Sequence, residues 1–333
     1  MGSTGEVRIL RRDDVAAALD MGACVDAMER AFTAYSAGRA ELPAVIQLDV
    51  PERGGEIHVK AGYLHGGTVY AVKIVSGFPG NPRLDLPANN GMVVVFDAET
   101  GAPAALLLDG GLITDVRTGA AGGVAARHLA PARPDVVAVL GSGAQARFQV
   151  DALSRVRSFE RVRVWGRDAE RARAAAKDIA ALPSLPGGCH VTTAASVREA
   201  VEDAGVVITA TASREPLLRA EWLAPGAHVT ALGSDQADKQ ELDPAVLSAA
   251  DLVVADSVAQ CLRIGELHHA VEAGAVEPET VVELGTITGG AARGRSNDSQ
   301  RTVCDLTGVG VQDVAAAALV LEAAGDAGEA VRL

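Results

Sequence analysis

The chain has 333 residues, a formal net charge of −13, 48% hydrophobic residues and 3% aromatics. That length suits two domains, and the acidic balance argues against nucleic acid or an anionic membrane surface as a partner. The four cysteines (Cys24, Cys189, Cys261 and Cys304) are scattered, with no Cys-x-x-Cys pair, signal-peptide pattern or spanning apolar run beside them, so a cytoplasmic protein with reduced thiols is expected.

Met1 to Gly5 reads as a loose terminus. Val7 to Leu10 reads as a strand, and Asp13 to Leu19 and Cys24 to Ser36 as helices. The second helix carries Val25, Met28, Phe32 and Tyr35 at helical spacing, a core stripe. From Leu42 to Leu108 the period changes to that of strands: Val45 to Val50, then Ile57 to Tyr63, Val69 to Val75, Met92 to Phe96 and Ala104 to Leu108. In Ile57 to Tyr63 the apolar Ile57, Val59, Ala61 and Tyr63 alternate with polar residues, which puts Glu56, His58 and Lys60 on one face. An Ala-rich helix follows Leu112 and runs to about Leu129.

Val136 to Leu140 is a short β-branched run, the mark of a parallel strand buried on both faces. It ends in Gly141-Ser142-Gly143-Ala144-Gln145-Ala146 and continues as a helix. Strand, tight turn and helix N-terminus stand in the order of a dinucleotide site: Gly141 for the turn, Gly143 for close approach of a pyrophosphate, Ala146 for helix-on-strand packing. Regular βα alternation follows: Arg161 to Trp165, a helix Ala169 to Leu182 capped by Asp168, His190 to Thr193, a capping box at Ser196 to Glu199, and strands Val206 to Thr211, Val229 to Gly233 and Leu252 to Asp256. Gln260 to Ala273 reads as one helix, Ala291 to Gln300 as a loop, and Gly308 to Asp313 as the entry to a last helix ending near Ala324. The expected fold class is α/β: a Rossmann doubly wound parallel sheet (119–312) for NAD(P), plus a discontinuous β-rich domain (1–118 and 313–333) for substrate binding and dimerisation.

Four positions carry candidate chemistry. Lys73 lies inside an apolar strand and is either an edge lysine reaching solvent or an ammonium held for an anionic or imine substrate. Arg117 is either a surface ion-pair partner or a carboxylate or phosphate ligand. Asp235, after the strand ending near Gly233, is either a cap or a general acid/base, since ligands of open α/β sheets gather at the carboxyl ends of strands. Gly166-Arg167 supplies a cation where an acidic residue usually grips the ribose 2′-hydroxyl, which leans to NADP(H), with Asp168 pulling back toward NAD. Glu266-Leu267-His268-His269 holds two histidines about 100° apart on a helix; with no second ligand cluster, no metal is expected. Hydrolase motifs such as Gly-x-Ser-x-Gly and His-Glu-x-x-His are missing from the sequence.

Taken together, Ala71-Val72-Lys73, Phe96 to Gly101, Leu112 to Ala121 around Arg117-Thr118, Gly141 to Ala146, Gly233-Ser234-Asp235 with Lys239 to Asp243, and Gly308 to Asp313 resemble the ornithine cyclodeaminase/μ-crystallin family. Asn81-Pro82, Leu86 to Gly91 and Gly265 to Ala270 look most like its ectoine-utilisation branch. The resemblance implies a homodimer formed through the β-rich domain, NAD(P) on the Rossmann domain and an active site in the cleft between. It implies hydride transfer between the nicotinamide and the carbon bearing the nitrogen. By that resemblance Lys73 and Arg117 meet the substrate, Arg117 alternatively a cofactor phosphate, and Asp235 handles protons on the amine. Gly141, Gly143, Ala144 and Gln145 hold the pyrophosphate, and Thr118 is a further cofactor-binding position. Gly166, Arg167, Asp168 and Arg171 surround the adenosine ribose, and Thr211, Ala212 and Leu232 lie on the nicotinamide side. The family's Pro-x-Arg reads Pro43-Ala44-Val45 here, and its Met-Pro reads Val59-Lys60. Lys60, on the face of Glu56, could supply the missing charge, with both expected to bind substrate, and the exchange turns the expectation away from ornithine. The expected activity is an imine or ketimine reductase or amino-acid dehydrogenase on a small amino or imino acid. The alternatives are a redox-neutral cyclodeaminase and a non-catalytic NADPH-binding protein.

Overall fold

The computed structural model describes residues 5–332, with the side chain of Pro82 outside that description. Of the expected loose terminus, the first four residues lie outside it. The chain divides into two compact units. One runs up to Arg117 and resumes at Gly310; the other is Thr118–Val309. The sequence expectation put the return of the chain at 313. The first division falls inside a continuous helix, Leu112–Leu129.

The first unit is built on an eight-stranded sheet. Its order is Glu329–Arg332, Glu6–Arg11, Pro103–Leu108, Asn89–Asp97, Val69–Gly77, Gly55–Leu64 and Ala40–Glu41, with Ile46–Val50 also pairing Gly55–Leu64. All pairs are antiparallel except Glu6–Arg11 with Pro103–Leu108. The helices Met21–Ser36 and Gly310–Ala323 pack on each other, the latter also on the central strands. Of the expected stripe, Val25, Met28 and Phe32 are fully buried and Tyr35 is half-buried.

Register decides which side of this sheet is the inside. Lys60, Lys73, Val93 and Leu107 stand opposite one another across four strands. Lys73, Val93 and Leu107 are buried under the helices. The next row, Ile46, Val59, Ile74 and Met92, points the other way. Ile46 is 63% exposed, and Ile74 and Met92 stand at 36% and 37%. The polar half of Gly55–Leu64 therefore faces inward and its apolar half outward, the reverse of the usual arrangement.

The second unit is an eight-stranded, wholly parallel sheet: His190–Thr193, Arg161–Trp165, Val136–Leu140, Val206–Thr209, His228–Ala231, Thr302–Asp305, Leu252–Ala255 and Val282–Glu283. The chain leaves Val136–Leu140 toward one edge and returns beside it as Val206–Thr209. That puts the topological switch point at the carboxyl ends of those two strands, where open α/β sheets hold ligands. Val136–Leu140 is buried along its whole length.

Two sequence expectations change. The helix expected over Gln260–Ala273 is two, Val258–Cys261 and Glu266–Glu272. Gly265 breaks it: its φ is +91°, and a Cβ there would stand 2.6 Å from Asp305 Oδ2. Thr302–Asp305 is a central strand that the sequence reading left out. Among the described residues no helix is long and apolar enough to cross a membrane.

Candidate active site

In the first unit, three charged side chains converge beneath the sheet. Lys73 sits in an interior strand and is 2% exposed, so the edge-lysine reading does not hold. Its Nζ donates to Asp313 Oδ1 at 2.9 Å. Arg117 Nε lies 3.1 Å from the same oxygen, an ion-pair distance without hydrogen-bond alignment. Arg117 Nη1 donates to Gln312 Oε1 at 2.9 Å. Arg117 is the sixth residue of its helix and is 6% exposed, so the surface ion-pair reading does not hold.

Local structure explains the convergence. Asp313 is in the first turn of Gly310–Ala323. That helix comes close to the sheet because Gly62 has no side chain: a Cβ there would meet Val314 Cγ2 at 3.0 Å. Burial pulls Lys73 down to about 8, the Asp313 carboxylate holds it up, and Arg117 and Lys60 add repulsion. Burial pushes the Asp313 carboxyl up, but Lys73 and Arg117 outweigh it, so it lies below the ordinary carboxylate value. Lys60 is half-buried on this inner face, opposite Lys73. Glu56 shares the face and pairs with His58 at 3.4 Å. Val45 is 45% exposed and offers no charge.

In the second unit, the Gly141 turn closes against Ala210. Gly141 has φ +138°, and a Cβ would stand 2.4 Å from Ala210 O. Gly143 is different. Its φ is −83°, and a Cβ there would meet nothing within 4 Å. Neither backbone strain nor internal packing demands glycine, so what Gly143 provides is open space against the backbone. That space lies at the start of the helix Ala144–Ser154, which has no side-chain cap. Uncapped N–H groups beside an open backbone at a switch point suit a pyrophosphate. Ala144 is exposed and Gln145 half-buried at that end, and Thr118 O accepts from Gln149 Nε2 at 2.9 Å.

Gly166 follows the second strand, and a Cβ there would crowd Ser142 Oγ at 3.0 Å. Arg167 and Arg171 are exposed, and their side chains form no ion pair among the described residues. Asp168 Oδ1 is engaged as the N-cap of Ala169–Ala180, accepting from Glu170 N at 2.9 Å and Arg171 N at 3.1 Å.

Asp235 lies in the loop after His228–Ala231, its side chain 54% exposed and paired with Lys239 Nζ at 2.6 Å. Beside it Leu232 is buried and Ala212 exposed. The sequence reading gave no site role to Glu241, which ties this region together. Its Oε2 accepts from Thr209 Oγ1 at 2.7 Å and Gly233 N at 2.9 Å, and its Oε1 from Thr211 N at 2.6 Å. One buried carboxylate thus joins the ends of two central strands. Glu266 in turn accepts from Glu241 N at 2.8 Å and Leu242 N at 2.9 Å. Asp313 and Gln312 likewise carry no role in the sequence reading, and Glu266 enters it only beside the histidines weighed for a metal. The signal for Asp313 was present: a carboxylate ahead of the apolar run Val314 to Leu321 is as costly to bury as a lysine in an apolar strand.

His268, His269 and Glu272 lie together, one ligand atom from each within 4.8 Å of the others. Each histidine ring already meets a backbone carbonyl: His268 Nδ1 that of Leu262 at 3.3 Å, His269 Nε2 that of Lys239 at 2.8 Å.

The family model of the ornithine cyclodeaminase/mu-crystallin family matches residues 6–328. An uncharacterized cyclodeaminase of Sinorhizobium fredii is 44% identical over 308 residues, covering 92% of each chain. The alanine dehydrogenase of Archaeoglobus fulgidus is 35% identical over 319 residues, covering 95% of each. The Thermococcus litoralis Delta(1)-pyrroline-2-carboxylate reductase, solved with NADH and L-proline, superposes with a TM-score of 0.90 at 30% identity, over 98% of this chain and 100% of that one. On that match along nearly its whole length, the chain belongs to the ornithine cyclodeaminase/mu-crystallin family.

Proposed function

We propose that this protein is an NAD(P)-dependent oxidoreductase acting at the Cα–N bond of a small amino acid or its imine. The observation that carries the reading is the pairing of Lys73 and Arg117 around one carboxylate oxygen beneath the sheet. Two buried cations sharing one counter-ion suit an anionic substrate. Relatives in both directions of this chemistry, a dehydrogenase and an imine reductase, support it.

Bound NAD(P)H supplies the hydride. Lys73 and Arg117 hold the substrate carboxylate and orient the imine carbon, with Lys60 and Glu56 on the same face of the sheet. Asp235 delivers the proton to nitrogen, or removes it in the oxidative direction. Gly141, Gly143, Ala144, Gln145 and Thr118 take the pyrophosphate side. Thr211, Ala212 and Leu232 take the nicotinamide side, shaped by Glu241. Gly166, Arg167, Asp168 and Arg171 take the adenosine ribose. There the lean is to NADP(H), because Arg167 and Arg171 form no ion pair among the described residues while Asp168 is engaged as a helix cap. The outward apolar row of the first unit supports a homodimer.

A steady-state assay tests the reading. NAD(P)H oxidation with α-keto acids plus ammonia or an amine, and with preformed cyclic imines, is expected to show net cofactor turnover. NADPH is expected to bind more tightly than NADH. Ammonia release from a diamino acid without net cofactor change would make the protein a cyclodeaminase instead. Asp235→Asn is expected to lower kcat about 10²–10⁴-fold with cofactor affinity retained; turnover within threefold of wild type removes Asp235 from the mechanism.

A further inference from the structure

Lys73 and Arg117 come from different elements, a central strand and the Leu112–Leu129 helix, and they repel each other. Something must hold both charged and aimed. We propose that Asp313 is the positioning residue of this site: one of its oxygens fixes Lys73 and Arg117 together, with Gln312 as the second anchor of Arg117. The proposal rests on the reading of Lys73 and Arg117 as substrate-carboxylate ligands.

Geometry favours this role over a purely structural ion pair. Asp313 Oδ1 takes both cations, while Oδ2 is buried with no hydrogen-bond partner among the described residues. A carboxylate present only for stability gains most by satisfying both oxygens. Asp313 also stands in the first turn of its helix, where solvent-facing carboxylates already complement the dipole. Here it is 3% exposed instead. Gln312, 1% exposed, points its carbonyl oxygen at the same guanidinium. Two successive residues of one helix thus address one pair of cations.

The other ionisable groups around Lys73 do not substitute for Asp313. Lys60 faces it from the neighbouring strand and repels it. Asp109, before the Leu112–Leu129 helix, feels Lys73, but its Oδ2 caps that helix through Ile113 N at 2.7 Å. Cys24, on Met21–Ser36, feels Arg117 but is pushed up to about 12 by burial, so it is neutral. Without Asp313, Lys73 would be repelled by Lys60 and Arg117 with no counter-ion in hydrogen-bond reach, and its proton would leave at lower pH.

The test is the pH dependence of KM for a carboxylated substrate in wild type, D313N, Q312M and K73M. Wild-type KM is expected to rise as pH passes about 8, where Lys73 loses its proton. D313N is expected to move that rise at least about one pH unit toward acid and to raise KM at pH 7 about tenfold or more. Q312M is expected to raise KM with the pH of the rise unchanged, since it removes an anchor and no charge. A D313N profile that superposes on wild type overturns the proposal. K73M separates the two failures. If K73M keeps wild-type KM, the reading of Lys73 falls; if K73M loses substrate while D313N leaves the profile in place, only the role of Asp313 falls. Should D313N not fold, D313E keeps the charge and shifts its position. KM is then expected to rise with the alkaline limb near that of wild type, and a wild-type KM overturns the proposal.

Discussion

Lys60 stands directly opposite Lys73 in an antiparallel pair, and like charges so placed repel. Asp313 lies below both and is stabilised by both. A second lysine there is best explained by an anion that both can meet, and Val45, exposed and apolar, cannot serve in its place. Lys60→Met is therefore expected to raise KM for carboxylated substrates about tenfold, the worth of a charge-assisted hydrogen bond of about 1.5 kcal/mol. NAD(P)H affinity should stay near wild type. Removing the repulsion also favours the charged form of Lys73, so the alkaline rise of KM should move to higher pH. Steady-state kinetics from pH 6 to about 10 read both effects; a variant with neither makes Lys60 an ordinary structural lysine. At this scale the sequence was legible where one residue contradicted its neighbours, as Lys73 does. It was silent on Glu241 and Glu266, whose partners, mostly backbone N–H groups, lie eight or more residues away. No local pattern marks such a bond.

The elements were legible where burial left a periodic trace. Arg161–Trp165 and His190–Thr193 stand where the alternation put them, and the glycine turn follows Val136–Leu140 as read. Thr302–Asp305 escaped because its four residues begin and end polar and enter the sheet between strands that precede it in sequence. Its last residue has a cost that can be measured. Asp305 Oδ2 accepts from Leu267 N at 2.9 Å, which brings its carboxylate to the start of the helix that carries Glu266. Burial, then the charge of Asp305, pushes Glu266 up to about 9; burial pushes Asp305 up to about 7. Both carboxyls bind protons more tightly folded than unfolded. Their stabilisation is complete below the ordinary carboxylate range and is lost as pH rises through those values. Thermal unfolding should therefore move to lower temperature between about pH 5 and 9. Asp305→Asn removes one charge and eases the ionisation of Glu266, so the decline should become shallower. An equally steep decline in the variant would show that Asp305 neither binds its own proton more tightly in the folded state nor raises Glu266.

At the scale of the molecule, periodicity in Gly55–Leu64 separated two faces but could not say which was inside. The apolar half looked like core, yet the charged half shares the face of the buried Lys73, and Ile46, Val59, Ile74 and Met92 form a row on the open side. Leu48, 57% exposed, extends that face. A contiguous apolar face on a twisted sheet is costly to leave in water and is the usual mark of an interface. A second copy of the chain is the proposed cover, buried as an isologous pair in which each row meets its own counterpart. Ile74 lies mid-row between Val59 and Met92, in an interior strand, so its side chain meets no edge hydrogen bonds of its own sheet. Ile74→Asp should leave the unit folded, since the side chain is already 36% exposed in the isolated chain. It would bury an unpaired charge on each side of the two-fold axis. At about 2–5 kcal/mol or more, the dissociation constant should rise at least about thirtyfold. Sedimentation velocity at micromolar concentration is expected to show a wild-type dimer and an Ile74→Asp species moving toward monomer, with far-UV circular dichroism unchanged. A wild-type monomer, or a variant dimer as tight as wild type, would place the interface elsewhere or nowhere.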